Sequence, residues 1–213
     1  RRAARPCWYS HGSALGCGAD WDPPRDDIQL TLDEEGQVWT GTFKPQAGQY
    51  AFKAAINRSW EENYGAGGNR NGSDIPYTAD GTDVSFYFDY RTKWVTNTRL
   101  DPILVATGNF QRELGCSDDS DVTCMRSWLQ DPDGDGTYAF TTIDIPAGSY
   151  SVSVGDTGPV SFTVEEGLAT TIAFQAESKA LTVDTFAPDF GPALSSERAS
   201  WLTPEVISWN LPD

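Results

Sequence analysis

Apolar and polar residues alternate with a period of two in several short runs. Examples are Ile28-Leu30-Leu32, Val38-Thr40-Thr42, Tyr50-Phe52-Ala54 and Val84-Phe86-Phe88. Alternation of this kind gives each segment one face for a core and one for water, which is the signature of a half-buried β-strand. Gly, Pro, Asn and Asp interrupt the runs about every ten residues, the spacing of strands in a sandwich. Helical periodicity is weak throughout, with a single turn conceivable over 195–202. The pattern predicts an all-β protein made of antiparallel sandwiches with about seven strands each.

One stretch stands apart. Tyr50 to Gly68 reads YAFKAAINRSWEENYGAGG. Its first half alternates like a strand, with Tyr50, Phe52, Ala54 and Ile56 on one face. Its second half reads as a loop of Trp60, Glu61, Glu62, Asn63 and Tyr64 closed by glycines. Rings beside amides and carboxylates suit a hydroxyl-rich ligand such as a sugar, because ring faces cover apolar CH groups while the polar groups take hydroxyls. The competing reading folds Trp60 and Tyr64 back onto the core.

The chain also repeats itself. Leu15-Gly16-Cys17 recurs as Leu114-Gly115-Cys116, and Trp39 is matched by Tyr138, both at an offset of 99. Ala47-Gly48-Gln49-Tyr50 recurs as Ala147-Gly148-Ser149-Tyr150 at an offset of 100. Phe88 matches Phe174 at an offset of 86, so the second copy is 14 residues shorter between its central Tyr and its last strands. The missing residues correspond to the Trp60 segment. The expected organisation is unit one over 1–98, unit two over 101–185, and a linker with the start of a following domain over 186–213.

Charge narrows the partners. The chain has 31 acidic and 15 basic residues, a net charge of −16. Nucleic acid and anionic membrane surfaces require clustered Lys and Arg, so both are excluded as expected partners. No apolar run is long enough to span a bilayer. His11 is the single histidine and has no Cys or His at ligand spacing, which removes a His-based triad or zinc site. No cofactor is called for. The four cysteines form two local pairs, Cys7 with Cys17 and Cys116 with Cys124, which read either as short disulfide loops of an extracytoplasmic protein or as four reduced thiols.

The segments SWEENYGAGG with Ile75-Pro76, and GNFQRELGC with its second cysteine eight residues on, closely resemble the X25 modules of bacterial pullulanases and amylases. The resemblance covers about residues 12–185. It implies two tandem immunoglobulin-like sandwiches with a role in binding α-glucan (starch, pullulan or glycogen). They would be a non-catalytic part of a secreted bacterial enzyme of the pullulanase or amylopullulanase type. ERASWLTPEVISW near the C-terminus resembles the segment that opens the next region of such enzymes. The implied partners are the glucan and the catalytic and other modules of the same polypeptide. The alternative role is a structural spacer.

A looser likeness to starch- and glycogen-binding domains runs through Trp39, Lys53, Asn57 and Trp60. It implies a sugar surface of Trp39, Lys53 and Trp60, with Asn57 or Asn63 bonding hydroxyls. Glu62 and Tyr64 complete the candidate set. Copy two has Tyr138 for Trp39, Val152 or Ser153 for Lys53, and nothing for Trp60. Copy one departs from the X25 pattern at its first strand. Arg25 stands where a second cysteine is expected, so Cys17 either pairs with Cys7 or stays free.

Two other constellations are weaker. Asp131, Asp133 and Asp135 resemble the start of a calcium loop, yet Thr142 occupies the twelfth position where a Glu is required. A tight acidic turn is the better reading. Glu61 and Glu62 are adjacent, so they point apart and cannot flank a glycosidic bond as a hydrolase pair must.

Overall fold

A computed structural model describes residues 7–8 and 28–188. Among these residues the regular structure is β, with two short 3-10 turns and no α-helix. Unit one contains β1 (Cys7–Trp8), β2 (Thr31–Asp33), β3 (Val38–Phe43), β4 (Gly48–Phe52), β5 (Ala54–Ile56), β6 (Ser59–Tyr64), β7 (Ile75–Ala79), β8 (Val84–Phe88) and β9 (Val95–Asn97). Unit two contains β10 (Leu104–Gly108), β11 (Trp128–Leu129), β12 (Thr137–Thr142), β13 (Gly148–Val154), β14 (Thr157–Val164), β15 (Ala169–Gln175) and β16 (Leu181–Phe186). All strand pairings are antiparallel.

Each unit is a sandwich. In unit one the sheet β2-β3-β8-β9 faces the pairs β4-β7 and β5-β6, with β1 beside β5. Trp39, Phe86 and Phe88 from the first layer meet Phe52, Ala54, Tyr64 and Tyr77 from the second. Phe52, Tyr77 and Phe86 form an edge-to-face triangle with centroids 5.2–5.5 Å apart, a preferred geometry for ring quadrupoles. In unit two β11-β10-β13-β14 faces β12-β15-β16. There Ala106, Val152 and Val164 pack against Tyr138, Ile172 and Phe174.

The repeat survives as register. Trp39 lies opposite Phe88, and Tyr138 opposite Phe174. Tyr50 pairs with Tyr77 and donates to the Gln46 carbonyl at 3.0 Å; Tyr150 pairs with Phe162 and donates to the Pro146 carbonyl at 3.1 Å. Even the surface hydroxyl pairs correspond, Thr42 with Ser85 and Thr141 with Thr171, both at 2.8 Å.

The units dock through a buried seam. Trp128, 3% exposed, packs with Met125 against Val38, and its ring lies 5.9 Å from that of Tyr87. Glu35 of unit one accepts from the Ser117 N–H through Oε1 at 2.6 Å and from Arg126 Nε through its carbonyl at 2.7 Å. Gln130 Nε2 donates to Asp89 Oδ2 at 3.1 Å. Cys116 and Cys124 form a disulfide, closing the loop that presents Ser117 to this seam. The Cys7–Cys17 pairing and the segment from 189 onward fall outside the described residues.

Gly36 permits the close approach. A Cβ there would lie 2.9 Å from Met125 Cβ, closer than two carbons tolerate. Gly36→Ala is therefore expected to open the seam while leaving each sandwich folded. Small-angle scattering should show a larger radius of gyration, and proteolysis should speed up around Thr98–Asp101.

Candidate functional site

The Trp60 segment is a strand, which corrects its reading as a loop. Asn57 and Arg58 both have positive φ, 54° and 58°, the backbone of a tight two-residue hairpin turn. Asn accepts that conformation easily; Arg58 carries some steric cost. The turn sends the chain back so that Ile56 pairs with Ser59, Ala55 with Asn63 and Ala54 with Tyr64. Unit two has no equivalent, because β13 and β14 are joined directly at Gly155-Asp156.

Strand geometry then sorts the candidate residues. Residues 60–62 bulge out of the β5–β6 pairing, between Ile56 opposite Ser59 and Ala55 opposite Asn63, while Glu62 and Tyr64 stay on one side, joined by a hydrogen bond. Tyr64 is anchored in the core, stacked on Phe88 with centroids 5.7 Å apart. Its hydroxyl donates to Glu62 Oε1 at 2.8 Å, and Tyr90 donates to the same oxygen at 3.0 Å. The Lys93 ammonium sits 3.1 Å from the centre of the Tyr90 ring and 5.2 Å from that of Tyr64. Trp60, Glu62, Tyr90 and Lys93 are all half-buried. Glu62, Tyr64, Tyr90 and Lys93 make a rim in which a carboxylate, a cation and two aromatic rings converge.

Glycines hold the rim against the β8–β9 turn. Gly68 has φ +69°, and a Cβ on it would lie 2.8 Å from the Lys93 carbonyl. Arg70 donates to the Glu61 carbonyl at 3.3 Å, tying the far end of the glycine loop to β6.

Other predicted residues lie elsewhere. Trp39 is 8% exposed and belongs to the core, so its ring offers no face to a ligand; this corrects its place in the sugar surface. Lys53 is held by Asp74 at 3.3 Å. Asn57 is exposed at the hairpin tip. Asn63 is buried, donating to the Trp60 carbonyl at 3.0 Å and to Asn71 Oδ1 at 2.8 Å, with its own Oδ1 unpartnered among the described residues. Sequence reasoning missed Tyr90, Lys93 and Arg70. The alternation of rings and bases in Tyr90-Arg91-Thr92-Lys93-Trp94 is the signal that could have flagged the first two.

The Asp131 carboxylate accepts backbone N–H groups from Gly134, Asp135 and Gly136 at 2.9–3.2 Å. Its oxygens close a turn, although Asp133 and Asp135 stand near enough to share a cation with it. No described helix is long and apolar enough to cross a membrane.

The sequence profile of the pullulanase X25 domain matches this chain twice, over residues 9–95 and 103–185. The chain belongs to the pullulanase X25 domain family. X25 is an accessory module of pullulanases, distinct from their catalytic domain. An amylopullulanase of Thermoanaerobacterium thermosulfurigenes is 35% identical over 98 residues, covering 46% of this chain and 5% of that protein. An amylopullulanase of Thermoanaerobacterium saccharolyticum is 34% identical over 98 residues, covering 46% of this chain and 8% of that protein. The X25 chain thus spans a small part of the relatives it matches. A pullulanase structure from Bacillus acidopullulyticus superposes with TM-score 0.37 at 12% identity, covering 84% of this chain and 28% of that one. So loose a superposition carries no weight.

The rim of the first X25 unit has a titration signature. Burial, then the hydrogen bond to Glu62 and its charge, push the Tyr64 phenol up to about 12. Burial and the same carboxylate raise Tyr90. Burial lowers Lys93, against the pull of Glu62 and Asp89. The fold favours neutral Tyr64, so its contribution to stability is complete below the ordinary phenol value of 10.0 and is lost as pH rises from there to about 12. The tyrosinate absorbance of wild type minus Tyr64→Phe should titrate near the upper value, with denaturant resistance falling across that window.

Proposed function

We propose that these tandem X25 units are a non-catalytic α-glucan-binding part of a secreted bacterial starch- or pullulan-degrading enzyme, and that the rim on unit one carries the binding. The observation behind this reading is the β5–β6 hairpin, which has no counterpart in unit two, where β13 and β14 are joined directly. It brings Glu62 beside Tyr90 and Lys93 and carries half-buried Trp60 on the same hairpin. In this reading Trp60 meets sugar CH groups, and Glu62 offers a carboxylate oxygen to a hydroxyl while Oε1 holds the two phenols. Amylopullulanases are among the relatives, which agrees with an α-glucan ligand. Attachment of such a module raises the local concentration of glucan for whatever domain shares the chain.

A second reading, that the units only position other domains, draws on the buried seam. A fixed angle between two sandwiches is what a spacer requires.

Affinity electrophoresis against amylopectin, pullulan, glycogen and dextran separates the two. Binding predicts retardation by the α-1,4-linked glucans, lost by about tenfold in Trp60→Ala and reduced in Glu62→Gln. Retardation by none of the four supports the spacer.

A further inference from the structure

A cleft of about 410 Å³ opens between the units, bordered by the β8–β9 turn. That volume falls in the range of small-molecule sites, about 300–1,000 Å³. Unit one contributes Asp89 and Arg91, and unit two contributes Arg126, Gln130, Phe140 of β12, and Ile143 and Asp144 just beyond it.

The polar groups are arranged in advance. Asp89 is 1% exposed, and each of its oxygens accepts two hydrogen bonds. Oδ1 takes the Arg91 N–H and Nε; Oδ2 takes an Arg91 terminal nitrogen and Gln130 Nε2. The carboxylate is spent on orientation, fixing one guanidinium and one amide. Gln130 is itself only 8% exposed, and with Nε2 committed to Asp89 its Oε1 receives no hydrogen bond among the described residues. Arg126 has used Nε on the Glu35 carbonyl, leaving its terminal nitrogens as donors. At the lip Ile143 is 60% exposed beside half-buried Phe140.

We propose that this cleft is a second α-glucan site that needs both units. A fixed acceptor, fixed donors and the Asp144 carboxylate beside an apolar lip match a ring with hydroxyl edges and a CH face. An anionic ligand is disfavoured, because Asp89 already neutralises Arg91, Asp144 stands nearby, and the chain carries −16. The choice of glucan as the saccharide rests on the function proposed above; the site's geometry does not.

Backbone-amide NMR of the whole chain, titrated with maltohexaose, tests it. The readouts are Gln130 and residues 141–144, since the β8–β9 turn borders both sites. Saturable shifts there are expected, weakened about tenfold by Ile143→Asp and several-fold by Asp144→Ala. Both variants alter exposed side chains, so folding is checked by the unchanged remainder of the spectrum. Shifts confined to residues 59–64 would overturn the cleft and leave the rim standing. Shifts at the cleft alone would support it and remove the rim. A spectrum unmoved by maltohexaose would overturn both.

Discussion

Trp128 filling the space between two sandwiches is the contact on which the rest of the molecule depends. Each unit has its own core, and the linker between them is short. Without the seam the units would be two beads on a string. With it, Val38 and Tyr87 of one sheet gain a cover, and Glu35 finds partners 82 and 91 residues away. The Asp89–Gln130 bond exists only because the seam holds β8 beside β11. The cleft between the units is a product of the same docking.

The two units share a scaffold and differ in one addition. The pairs Trp39–Phe88 and Tyr138–Phe174, and the Tyr hydroxyls returned to Gln46 and Pro146, show one architecture used twice. The hairpin β5–β6 is grafted onto it. An addition of this kind costs little when its backbone bonds are met within itself, and here β6 pairs with β5 while Ala66 and Gly65 bond to Ser73 and Asn69. Ala54, Ile56 and Tyr64 root the hairpin in the core of unit one, so only its exposed residues, such as Glu61, stand clear of the sandwich.

Much of the fold was legible because strand alternation is local and the repeat is written in the sequence at nearly constant offsets. The runs at Val38, Tyr50 and Val84 became β3, β4 and β8. The site was less legible. The segment after Ile56 looked like a loop because Asn57-Arg58 is an uncommon pair for a hairpin turn. Trp39 was placed on the sugar surface by the likeness to starch-binding domains, and the alternating run could not correct it, since a tryptophan there has the same spacing whether it faces core or water. Tyr90 is 28 residues from the carboxylate it bonds, and the seam joins residues about 90 apart. Contacts at that separation leave no trace in periodicity. Only the three-dimensional register brings them together.

The β8–β9 turn, Asp89 to Trp94, has a backbone closed by the Lys93 N–H on the Asp89 carbonyl and the Asp89 N–H on the Trp94 carbonyl. It carries Tyr90 and Lys93 of the rim and Asp89, Arg91 and Thr92 of the cleft lining. Six residues thus form a border common to both. A substitution in this turn would therefore alter the rim and the cleft lining together.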